Sequence, residues 1–184
     1  MHDRIDHIAL LGAGALWPAH VGTVSALFDS GMLDQLQTVV GVSVGTVMGL
    51  LLCLYLKSAN AVEEWKREMN ETMETRHLLF DQDVSDCAHV MQFGTGYFRA
   101  HNLIHYVRNL LEKEMGDPDA TFVDLFVRTG LDFTVMIYEH ANRYSLDLWN
   151  GNGSRPRFLN YTSTPLLPVW IAIRASCSAA PIIT

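Results

Sequence analysis

The chain has 184 residues, enough for one domain with a real core, and its 49% hydrophobic and 18% charged residues set it apart from disordered chains. A formal net charge of −7 argues against a general nucleic-acid binder, because phosphate contacts need clustered Lys and Arg. Cys53, Cys87 and Cys177 are odd in number and scattered, with no C-x-x-C, so a reducing compartment is expected in place of a disulfide framework or a zinc site.

The first residues, "MHDRIDHIAL", mix acids with bases and lack the apolar core of a signal peptide. The expected location is cytoplasmic or peripheral to a membrane. "HIALLG" (7–12) is a short apolar run ending in glycine and reads as a buried strand. "PAHVGTVSALFDSG" follows as a helix. Pro18 suits its first turn, Val21, Val24, Leu27 and Phe28 share one face, and Gly31 stands just past its end. "LQTVVGV" (36–42) is the second strand, and "GTVMGLLLCLYL" is a helix apolar on every side, hence buried. Residues 39–56 carry no charge and are nearly long enough to span a membrane. The glycines at 41, 45 and 49 favour a strand, a turn and a buried helix in series.

Asn60 with Glu63 three residues on predicts a capping box for "AVEEWKREMNETM". Residues 75–98 have no clean period and are expected to form a lid or a surface excursion. "NLIHYVRNLLEKEMG" is an amphipathic helix with Leu103, Ile104, Val107, Leu110 and Leu111 on one face. "TFVDLFVRTG" (121–130) is a short helix ending at Gly130. "DFTVMIYE" and "RYSLDLWN" alternate like strands, and the intervening "HAN" predicts a hairpin. "GNGSRP" reads as a loop, and "LLPVWIAIRASCSAAP" as a helix ending before Pro181.

The opening order of strand, helix, strand, helix predicts a parallel βαβ unit. Successive parallel strands end at one sheet edge, where open α/β sheets bind ligands. The loop Gly12–Trp17 and the turn Gly41–Gly45 should therefore face one crevice. "GVSVGT" (41–46) is a G-x-S-x-G sequence at a strand-to-helix turn, the pattern of a nucleophile elbow with Ser43 at its tip. Gly41 and Gly45 would permit the tight turn. The helix dipole behind Ser43 would favour negative charge formed in acyl transfer. The plainer alternative is a serine that only caps the helix beginning near Gly45. "GAGALW" (12–17) can be read as a dinucleotide loop that lacks its last glycine, or as an oxyanion loop.

At this point the sequence resembles the patatin-like phospholipases. The family's first motif, G-G-G-x-[KR]-G followed by a helix with Ala-His near its start, corresponds to "LLGAGALWPAHVGTVSALFDSG". Its G-x-S-x-G elbow corresponds to "GVSVGT", and its late helix to "AIRASCSAAP" after "YTSTPLLPVW". "TFVDLF" and "LDFTVMIYE" are similar to family segments too. The likeness covers residues 8–184 as one patatin-like domain. It implies a three-layer α/β/α sandwich around a mainly parallel sheet. It also implies a serine–aspartate dyad without a catalytic histidine: Ser43 as nucleophile, and backbone N–H groups around Gly12, Ala13 and Gly14 as the oxyanion hole. The implied substrates are phospholipids or other acyl lipids, with peripheral membrane contact and with no metal or other cofactor.

Three departures stand out. Leu16 occupies the basic position of the first motif, and Ala13 and Trp17 replace glycines. Where the backbone needs positive φ, each non-glycine residue would cost roughly 1–2 kcal/mol. The family's aspartate lies in a D-G-[GA] segment soon after S-x-x-P, and no Asp-Gly pair occurs in these 184 residues. Asp81, Asp83 and Asp86 have no evident route to Ser43. The expectation is an incomplete patatin-like domain, weakly active or inactive alone. Two further readings remain: a catalytically degenerate binding module presenting Leu16 and Trp17 to an apolar surface, and an α/β-hydrolase triad. The triad needs a late histidine, and the last one here is His140. His101 and His105 are spaced like metal ligands but lack a third, and His20 is expected to pack beside the glycine loop rather than act as a base.

Overall fold

The uncharged stretch 39–56 resolves into strand, turn and helix at its glycines. The computed structural model describes residues 4–13, 16–58, 60–79, 100–140 and 154–177. Its elements are β1 (His7–Leu10), α1 (Pro18–Asp29), β2 (Thr38–Gly41), α2 (Val44–Tyr55), α3 (Ala61–Leu79), α4 (His101–Met115), α5 (Phe122–Thr129), β3 (Asp132–His140), β4 (Ser154–Leu159) and α6 (Val169–Ser176). The four strands form one sheet in the order β1-β2-β3-β4. β1, β2 and β3 run parallel, and β4 is antiparallel to β3. The protein is thus the mixed α/β fold expected, with a mainly parallel sheet. No helix among the described residues is long and apolar enough to cross a membrane.

The sheet is built around α2. Ile8, Val39 and Phe133 stand side by side in register and share one face. Gly49 rests α2 on that face: a Cβ there would meet the Phe133 ring at 2.9 Å and Val39 Cγ1 at 3.0 Å. Leu50, Leu51, Leu52 and Cys53 are all fully buried, as a helix apolar on every side requires. Each such leucine contributes about 1.5–3 kcal/mol of burial.

The other helices pack outward from α2. α1 contributes Val24 to the core and tilts Phe28 against Trp65 of α3, with ring centroids 5.7 Å apart. Gly31 takes φ +68° just beyond α1. α4 buries Leu103, Val107, Leu110 and Leu111, with Ile104 half-buried. At the far end of α2, a polar cluster joins three helices. Tyr55 donates to Glu68 (3.2 Å) and Glu114 (3.0 Å), Tyr106 donates to Glu68 (3.2 Å), and Lys113 pairs with Glu68 (3.1 Å). Burial, reinforced by the neighbouring carboxylates, pushes the Tyr55 hydroxyl above its ordinary pKa. Burial does the same to Tyr106, with Glu68 adding to it against the Thr72 hydrogen bond.

The capping box lies elsewhere than expected. Asn60 N–H donates to Ser58 Oγ (3.3 Å), the bond the box would have given to Glu63. The box forms instead at α5, where Thr121 and Asp124 bond reciprocally. The Thr121 hydroxyl and N–H hold the Asp124 carboxyl below its ordinary pKa.

The described residues contain a strand that the sequence does not announce. β3 runs through His140, and its antiparallel partner is Ser154–Leu159, with His140 opposite Ser154. "GNGSRP" is therefore not all loop, since its last three residues open β4. "SRPRFL" hid as a strand because it lacks apolar alternation and carries Pro156, which a strand tolerates at a sheet edge. The predicted strand 143–150 lies outside the described residues. Of the expected excursion 75–98, residues 75–79 complete α3 and the rest lies outside. α6 is shorter than predicted. It begins at Val169, after Pro168, and Cys177 caps its end. Its start is tied to that of α5, with Val169 N–H donating to Ala120 O and Phe122 N–H to Leu167 O.

Candidate active site at the elbow after the second strand

β2 ends at Gly41 and α2 begins at Val44, so two residues must reverse the chain. Ser43 does this at φ +53°, ψ −130°, a left-handed conformation that side chains rarely adopt. It occupies the cap position of α2, yet its side chain makes no capping hydrogen bond. The Ser43 carbonyl is held by Thr46, whose N–H (2.8 Å) and hydroxyl both donate to it. The simple capping role for Ser43 is thereby excluded, and its hydroxyl is left at the positive end of α2.

The two glycines of the elbow permit a close approach. A Cβ on Gly41 would stand 2.6 Å from Thr46 Cα, and one on Gly45 would overlap the Leu10 carbonyl oxygen. The first turn of α2 thus presses onto the ends of β1 and β2. Val42 N–H continues the attachment by donating to Leu10 O at 3.0 Å.

The first glycine loop reaches the same place. A Cβ on Gly12 would lie 3.2 Å from Ser43 Cβ and 3.9 Å from its Oγ. His20 Nε2–H donates to Leu11 O at 2.8 Å, so this ring packs beside the loop and anchors its first turn. Leu16 N–H closes a turn onto Ala13 O at 2.8 Å. Gly14 lies outside the described residues.

Two expectations about this loop are corrected. Among the described residues, Ser43 and Ala100 alone combine a side chain with positive φ, so Ala13, Leu16 and Trp17 carry no such strain. Trp17 is helical, at φ −53°, and only 3% exposed, so it belongs to the core. It cannot present an apolar face to a partner. Leu16 is 74% exposed and Leu11 65%, so the exposed leucines flank the loop in its place.

Sequence reasoning missed what holds the elbow from the opposite side. Ser43 N–H donates to Ser176 Oγ at 2.9 Å, and Ser176 Oγ–H donates to Met136 O at 2.7 Å. The next residue, Cys177, places its sulfur 4.0 Å from Thr46 Oγ1 and within hydrogen-bonding reach of the Ser43 side chain. Burial pushes the Cys177 thiol up to about 11, despite Thr46, Arg174 and Ser43, so at neutral pH it is protonated and not a rival nucleophile. The signal was the run "AIRASCS", in which nothing local says which serine faces the elbow.

Among the described residues no carboxylate hydrogen-bonds Ser43. Asp81, Asp83 and Asp86 lie outside them. On α4, Asn109 Nδ2–H donates to His105 Nε2 at 3.1 Å, and both His101 and His105 are exposed. The described residues contain no group of three or more His, Cys, Asp or Glu suited to a metal ion.

Two solved structures are similar to the chain, each at 18% identity, a likeness of fold. One is the type III effector protein ExoU, with a TM-score of 0.55 over 94% of this chain and 40% of that one. The other is full-length ExoU in complex with full-length SpcU, from the type III secretion system of Pseudomonas aeruginosa, with a TM-score of 0.56 over 96% and 39%. The chain spans about two fifths of the length of these structures. No curated protein matches it. The family model described as patatin-like phospholipase matches residues 8–184, across the sheet, the elbow and the glycine loop together. The chain belongs to the patatin-like phospholipase family.

Proposed function

We propose that the chain carries the nucleophile and oxyanion loop of a serine lipid acyl hydrolase. The observation that carries this reading is Ser43 held at φ +53° with its hydroxyl uncommitted to capping and Gly12 against it. Strained positive-φ backbone on a residue with a side chain costs about 1–3 kcal/mol and gathers at functional sites. Ser43 Oγ would attack the ester carbonyl carbon while its proton passes to a base. The carbonyl oxygen, now negative, would accept from N–H groups of the loop Gly12, Ala13 and Gly14, next to the positive end of α2. Collapse would expel the alcohol part of the lipid with the proton returned, and water would then cleave the acyl–Ser43 ester. The base in this reading is the aspartate of the family's D-G-[GA] segment, which these 184 residues do not contain. The test is labelling by a fluorophosphonate probe together with ester hydrolysis. Ser43→Ala should abolish both in the protein, and labelling at an unrelated residue would refute the reading.

A specific observation supports a second reading. Leu11 and Leu16, on the segment that carries Gly12, expose 65% and 74% of their surfaces, as suits contact with a lipid surface by a module that has lost its chemistry. Under it, co-sedimentation with phosphatidylcholine vesicles survives Ser43→Ala and is lost in the double variant Leu11→Ser, Leu16→Ser. An active Ser43 combined with unchanged sedimentation of the double variant would eliminate it.

A further inference from the structure

Ser43 reverses the chain in a conformation that its own side chain disfavours, so something outside the turn must hold it there. Three attachments do so. Val42 N–H is held by Leu10 O of β1, and the Ser43 carbonyl by Thr46. The third, at the N–H of Ser43 itself, comes from Ser176 at the last position of α6. We propose that Ser176 is a positioning residue for the nucleophile, a role that rests on the reading of Ser43 above.

The geometry favours this over simple satisfaction of a spare N–H. A serine hydroxyl has one proton and two lone pairs. The Ser176 proton is committed to Met136 O at 2.7 Å, so the oxygen can meet Ser43 N–H only as an acceptor, at 2.9 Å. The direction of the relay from Ser43 to Ser176 to Met136 is thus fixed, and each bond polarises the next. Met136 lies on β3 one residue beyond Val135, which stands in register with Gly41. The relay therefore fastens the elbow across the sheet to the neighbouring strand. It also occupies Ser43 N–H, which excludes that group from the oxyanion hole.

The role also separates Ser176 from its neighbour. Cys177 touches side chains at the elbow, with its sulfur 4.0 Å from Thr46 Oγ1, whereas Ser176 grips the backbone that sets φ at Ser43. Loss of the Ser176 hydroxyl frees the Ser43 peptide to rotate, which swings Oγ away from the reacting carbon. Misplacement of a reacting group by about 1 Å can cost on the order of 100-fold in rate.

The experiment uses a parent chain that carries the D-G-[GA] aspartate, so that Ser43 has its base, and compares it with its Ser176→Ala, Ser176→Thr and Ser43→Ala variants. It measures kinact and KI for a fluorophosphonate, the final labelled fraction, and hydrogen exchange at the Ser43 amide. Ser176→Ala should lower kinact by about 10- to 100-fold with KI little changed and the labelled fraction still complete. The Ser43 amide should exchange faster, and Ser176→Thr, which restores the hydroxyl, should recover most of the rate. A merely structural role predicts a smaller labelled fraction at unchanged kinact, and that result would overturn the proposal. So would a slowed kinact with unaltered exchange at Ser43. If Ser43→Ala abolishes labelling while Ser176→Ala labels at the parent rate, the proposal alone fails. If the parent is not labelled at Ser43, the nucleophile reading and this proposal fail together.

Discussion

Replacing Ser43 by glycine should stabilise the protein relative to replacing it by alanine, although both variants lack the hydroxyl. Alanine keeps the Cβ and so keeps the conflict with φ +53°, ψ −130°. Glycine removes a strain of about 1–3 kcal/mol. Against this, glycine loses more backbone freedom on folding, about 0.5–1 kcal/mol. The net difference is about 0–2.5 kcal/mol in favour of Ser43→Gly, centred on about 1 kcal/mol. The hydroxyl itself changes little in this comparison, because both variants lose it and neither alters Thr46. Urea unfolding measures the difference as a shift in midpoint at constant m-value. In a domain of this size each kcal/mol also moves Tm by about 2–4 °C. A glycine variant less stable than the alanine variant would falsify the argument, because the elbow would then hold less strain than glycine's own backbone cost of about 0.5–1 kcal/mol.

Two further predictions concern other parts of the structure. Gly45→Ala places a methyl group into the Leu10 carbonyl, so α2 must lift from β1 at a cost of about 1–3 kcal/mol or more, and an unchanged urea midpoint would contradict the close packing of these elements. Tyr55 and Tyr106 have folded-state pKa values raised by burial, with Glu68 adding to both. Their contribution to stability is complete below the unfolded tyrosine value of about 10 and is lost as pH rises above it, because the unfolded chain releases protons that the folded one keeps. Lys113, raised by Glu68 and Glu114 against its partial burial, acts with the same sign from its own, slightly higher unfolded value. Burial raises the Cys53 and Cys177 thiols as well, so the urea midpoint should begin to fall above the unfolded cysteine value of about 8.5 and fall more steeply above about 10, that second fall being gentler in Tyr55→Phe; an identical slope in that variant would remove the tyrosine from the account.

The elements that sequence reasoning found are those whose determinants are local. Pro18, Gly31 and Gly130 stand at the helix boundaries where backbone geometry needs them, and the apolar face of α4 is buried as its spacing requires. The proximity of Gly12 to Ser43 was legible as well, because parallel strands deliver their following loops to one edge. Trp17 was misplaced because it was judged as a departure from a glycine motif. Its burial depends on how α1 docks, which neighbouring residues do not encode. β4 was obscured by Pro156 and two arginines that an edge strand can carry. The capping box was assigned to Asn60 and Glu63, although "TFVD" also offers a carboxyl at the third helical position, as aspartate in place of glutamate. Ser176 was beyond reach because its partner is set by tertiary structure, and "RASCS" offers three neighbouring side chains with sulfur or oxygen to choose among.

The bond from Ser43 N–H to Ser176 spans 133 residues of chain. During synthesis at about 5–20 residues per second, roughly 7–27 s separate the emergence of the two serines. β1, β2 and the intervening helix can pair early, because their contacts are close in sequence. The turn at Ser43, however, is fastened only when the end of α6 has been made and has docked. A nascent chain would therefore pass through a stage with a folded scaffold and an unlatched Ser43. Such a delay would leave the backbone at Ser43 unfastened until most of this chain has left the ribosome.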